Sequence, residues 1–219
     1  MIESVKFQSQ HYQALHFKNI LSNQLSVNSE GLQQLLSNQS MVLFPSSLRL
    51  TGNIKLITPA GAFLMHSTLF ERIDNTFLSE SGMVLARFES SSFQKTPMNL
   101  DYLCLCQGIL RESMQAIDGL VAYVHEHLSG RLAGDRALTQ HESIQFLFAN
   151  VVCRLATTRS LIASSVDLTA LWVSADELIE ATHGLSKLGG GRSFLRGNSL
   201  ELLFHLRFFQ SLFLRGYSK

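Results

Sequence analysis

The sequence predicts a mainly α protein with a small β portion, ending in an antiparallel up-down four-helix bundle. Three observations carry this. From residue 99 onward, apolar residues recur at helical spacing in four long segments joined by short connections. Residues 41–95 instead hold short alternating or continuous apolar runs, punctuated by Thr51-Gly52-Asn53 and Pro59-Ala60-Gly61, which is the texture of a sheet. The three prolines all precede residue 98, so none interrupts a helix in the back half.

Residues 1–40 are polar, with Leu15, Phe17, Ile20, Leu21 and Leu25, then Leu32, Leu35 and Leu36, at roughly helical intervals. They predict two short amphipathic helices broken near Ser29 to Gly31, where Asn28 or Ser29 caps the second. Residues 41–98 predict a small sheet of three to five strands. Within it, Leu48, Leu50, Ile54 and Leu56 flank the Thr-Gly-Asn turn, with Arg49 and Lys55 between them, as in a hairpin. Residues 99–219 form the bundle domain. Its first helix runs to about residue 128, and the segment SGRLAGDRA is a loop. Thr139 and Glu142, at capping-box spacing, mark the second helix. Asp167 caps the third, which Gly189, Gly190 and Gly191 stop. Asn198 or Ser199 caps the fourth, from residue 199 to about 214, with Glu201 in its first turn.

The 219 residues are 46% hydrophobic and only 16% charged, against a typical quarter charged. That balance implies a large buried fraction that includes a subunit interface. A net charge of +1 gives no global electrostatic case for nucleic acid or an anionic membrane. The longest apolar stretch, SIQFLFANVVCRLATTRSLIASS, carries Arg154 and Arg159, and the N-terminus lacks a basic region followed by an apolar core. The expectation is a cytoplasmic protein without a membrane span. Cys104, Cys106 and Cys153 are odd in number and lack framework spacing, so they are expected as buried free thiols.

Few residues announce chemistry. Gly189 to Ser193 could offer N–H groups and the Arg192 guanidinium to a phosphate, but the cluster follows a helix, not a strand, and reads first as a helix stop. His125 and His127 are two apart, the wrong spacing for a shared metal on a helix, and no metal is expected. Hydrolase chemistry lacks a nucleophile elbow. Asp176, Glu177 and Glu180 read as the solvated face of one helix. Asp101 is the isolated acid that could face a pocket, although a charge at a helix start explains it better.

Taken in order, several segments resemble the acyl-CoA dehydrogenase family. GILRESMQAIDGLVAYVHEH is similar to the first helix of that family's C-terminal bundle. SGRLAGDRALTQHESIQF resembles its Phe-Gly-Arg-Pro loop and the helix that follows. LGGGRSFLRGNSLELLF resembles its Gly-Gly loop and last helix entry. Upstream, LTGNIKLITPAGA and SGMVLARFESSSF resemble strands of its middle β-domain. The likeness spans about residues 48–214. It implies a bundle that assembles into oligomers, FAD as cofactor, and an acyl thioester as substrate. The residues implied to hold FAD are Arg131, Gln145, Gly189, Gly190, Arg192 and Ser193, with Asp101 as the implied base.

The departures from the family pattern fall on chemistry. Its N-terminal helical domain is absent or reduced to residues 1–40, and its flavin-contacting Thr-Glu-Pro segment is missing. Its pyrophosphate Arg falls at Glu126 or His127, its Arg-Asp pair at His205 and Leu206, and its usual catalytic Glu at Leu214. Three readings follow. One is a degenerate acyl-CoA-dehydrogenase-like scaffold or non-catalytic subunit, in a homo-oligomer or with a full-length acyl-CoA dehydrogenase. The second is a divergent FAD-dependent oxidoreductase acting on the CH–CH group of an acyl thioester. The third is a helical interaction module unrelated in function.

Overall fold

A computed structural model describes residues 17–88 apart from 26, 29 and 39, then 100–194 and 199–215. Leu15, the start of the first expected helix, and the candidate cap Asn198 lie outside the described residues. The described chain divides into two compact units, residues 17–109 and residues from 110 onward.

The first unit opens with α1 (Phe17–Gln24), which buries Phe17, Ile20 and Leu21 on one face. Six strands follow: β1 (Gln33–Asn38), β2 (Met41–Pro45), β3 (Asn53–Thr58), β4 (Gly61–His66), β5 (Phe70–Ile73) and β6 (Met83–Phe88). A short helix α2 (Thr76–Glu80) precedes β6, and its Leu78 N–H donates to the Asn75 side chain at 3.0 Å. The sheet order is β4-β3-β1-β2-β6-β5. β1 and β3 run parallel, with Leu35 opposite Leu56, and β2 and β6 run antiparallel, with Leu43 opposite Leu85. These residues are buried, and together with Phe44, Ile54 and Met83 they make the core of the sheet.

Three expectations are corrected here. The second amphipathic helix is strand β1. Asn28 does accept backbone N–H bonds, from Glu30 at 3.0 Å and Leu32 at 2.9 Å. It thereby closes a local turn, and pairing with β3 then outweighs a short helix's weak propensity. The hairpin turns at Pro59-Ala60, with Thr58 paired to Gly61, not at Thr51-Gly52-Asn53. Gly52, with φ of 68°, bends the chain into β3 without returning it to a partner strand. The sheet has six strands, more than expected.

The second unit holds most of the long helices. α3 (Leu100–Ser129) spans both units, and its buried Ile117, Leu120, Val124 and Leu128 form an apolar stripe at helical spacing. A two-stranded turn of β7 (Leu132–Ala133) and β8 (Arg136–Ala137) occupies the expected loop. α4 (Glu142–Ser164), α5 (Leu168–Gly189) and α6 (Ser199–Phe213) complete the bundle. The Asp167 side chain accepts from Ala170 N–H at 2.8 Å, capping α5 as expected. The Thr139 cap is corrected: Thr139 lies in a 3-10 turn, Leu138–Gln140, and His141 becomes the first flanking residue of α4. The cysteine expectation is corrected too, because Cys106 is buried while Cys104 and Cys153 are exposed. Cys104 and Cys106 are two apart on α3, so they face different directions.

Candidate functional site

Asp101 stands in the first turn of α3, half exposed, with its Oδ2 3.6 Å from Lys55 Nζ on β3. Arg131 follows the other end of the same 30-residue helix, a rise of about 45 Å. Arg131 is exposed and frames the β7–β8 turn, its carbonyl accepting from Leu138 N–H at 2.8 Å. Gln145 is exposed in the first turns of α4, where its N–H donates to His141 O at 3.0 Å.

The glycine cluster has a different task. Gly189 ends α5, and Gly190, with φ of 54°, turns the chain into a 3-10 segment, Gly190–Phe194. This folds Ser193 back over the helix end, where its hydroxyl donates to Ser186 O at 2.7 Å. A Cβ at Gly189 would sit 2.6 Å from Ser193 Oγ, so the close approach requires glycine. Ser193 is 2% exposed and its hydroxyl proton is bound to the helix backbone. Gly190 is exposed, while the Arg192 side chain lies outside the described residues. Arg131 and Gln145 are exposed and Ser193 is buried.

In α6 the residues at the family's charged positions are packed. His205 and Leu206 are fully buried, as is Leu214 just after the helix. Phe209 is also buried and lies 5.5 Å from Phe213 between ring centroids. Gln210 Nε2 donates to Trp172 O at 3.3 Å, tying α6 to α5.

A feature that the sequence did not announce is a groove of about 530 Å³ between α4 and α5, lined by Phe146, Cys153, Arg154, Val173 and Glu177 among others. Arg154 Nη1 donates to Glu177 Oε2 at 2.6 Å and its Nε donates to Asn150 Oδ1 at 3.0 Å. The signal available was Arg154 itself, a cation inside an apolar run, which an acid on a neighbouring helix can pair. Glu177, read as part of a solvated face, is that acid. Among the described residues, no cluster of three or more His, Cys, Asp or Glu could hold a metal.

No protein-family profile and no curated protein matches this sequence. Solved structures do match. A glutaryl-CoA dehydrogenase from Mycobacterium smegmatis, in complex with FADH2, aligns with 85% of this chain over 57% of its own, at TM-score 0.54 and 16% identity. The FAD complex of PigA aligns with 92% of this chain over 74% of its own, at TM-score 0.61 and 10% identity. The ChsE4–ChsE5 complex from Mycobacterium tuberculosis aligns with 85% over 63%, at TM-score 0.54 and 10% identity. The chain spans 57% of the glutaryl-CoA dehydrogenase and 60% of a FAD-dependent dehydrogenase. These likenesses show an acyl-CoA-dehydrogenase-like fold with a reduced β portion, as the sequence resemblance implied.

Proposed function

We propose that this chain is a non-catalytic subunit of an oligomer, built on the acyl-CoA dehydrogenase fold. The observation that carries the reading is the burial of Leu206 and Leu214, both fully enclosed where the family resemblance implies charge. Abstracting an α-proton from a thioester requires a positioned carboxylate in a dry site. Leucine cannot supply one, and the alternative acid, Asp101, is 57% exposed and paired with Lys55. The residues implied for FAD fit it poorly, since the Ser193 hydroxyl is sealed against Ser186 and Arg131 and Gln145 face solvent. What remains intact is packing.

The test is the visible spectrum of the purified protein, alone and after incubation with FAD. The expected protein is colourless and takes up no flavin. Stoichiometric absorbance near about 450 nm would overturn the reading. It would favour a divergent FAD-dependent oxidoreductase acting on an acyl thioester, with Asp101 as its base. That second reading draws support from neighbours described as complexes with FADH2 or FAD.

A further inference from the structure

We draw no further inference here: the strongest candidate, the groove between α4 and α5 lined by Phe146, Cys153, Arg154, Val173 and Glu177, carries nothing because nothing in the structure shows what covers it.

Discussion

Lys55 Nζ on β3 lies 3.6 Å from Asp101 Oδ2 in the first turn of α3. The pair joins the sheet to the start of the longest helix. Asp101 is more than half exposed and Lys55 about a third, so solvent screens the pair and its contribution is small, under about 1 kcal/mol. The negative charge at the helix start adds a few tenths of a kcal/mol, roughly, through the helix dipole. Asp101→Asn is expected to lower unfolding free energy by ~0.5–1 kcal/mol in a urea titration. A loss of several kcal/mol would mean that Asp101 belongs to a buried network instead. If acyl-thioester oxidation is detected in the wild type and vanishes in this variant, the acid is a base and the non-catalytic reading fails.

Leu214 offers the converse experiment. It is fully buried after the end of α6, and its N–H donates to Gln210 O at 3.0 Å. Leu214→Glu returns an acid to the position that the family resemblance makes catalytic. Here the carboxylate would enter an apolar enclosure, and the change is expected to cost about 3–5 kcal/mol of stability, without gain of flavin. Denaturant unfolding and the visible spectrum read the two effects. A stable, yellow variant would show that the site is latent rather than lost.

The Gly189–Ser193 contact predicts coupling between two small residues. Gly189→Ala would push its Cβ to 2.6 Å from Ser193 Oγ and so displace the hydroxyl from Ser186 O. The expected loss is about 1–2 kcal/mol. In a Ser193→Ala background the hydroxyl is gone and the added methyl costs less, so the double variant is milder than the sum by ~1 kcal/mol. Strict additivity would mean that the turn relaxes independently of Ser193.

The helices were legible because their signals are local. Asp167 caps α5 through its own side chain, and the period from Leu100 to Ser129 runs without a proline and continues through Gly108 and Gly119. β1 was not legible, because Leu35 and Leu36 are read correctly only against Leu56 and Ile57, twenty-one residues away. The same holds for the hairpin: both turns carry glycine, and only strand pairing decides which one closes. Thr139 and Glu142 matched a capping box, yet the 3-10 turn Leu138–Gln140 displaced the helix start. For the candidate site, the sequence located the glycine turn but could not show that Ser193 points inward. The Arg154–Glu177 pair and the exposed face of α4 depend on which helix neighbours which, and a single sequence carries that only as unexplained charge in an apolar run.

Cys106 gives a prediction in pH. Burial pushes its thiol well above the ordinary range, against a smaller opposite pull from the Tyr102 side-chain hydrogen bond. The folded thiol therefore keeps its proton where the unfolded thiol, with an ordinary pKa of about 8.5, begins to lose it. The folded pKa is raised, so this contribution to stability is full below the unfolded pKa and is lost as pH climbs above it. Unfolding free energy is expected to fall between about pH 8 and 10, and Cys106→Ala should flatten that slope. Thiolate is also the reactive form, so native protein should leave Cys106 unmodified by a disulfide reagent such as DTNB at pH 7.5, while Cys104 reacts and all three thiols react after unfolding. Rapid native labelling of Cys106, seen by peptide mapping, would show that the start of α3 opens readily.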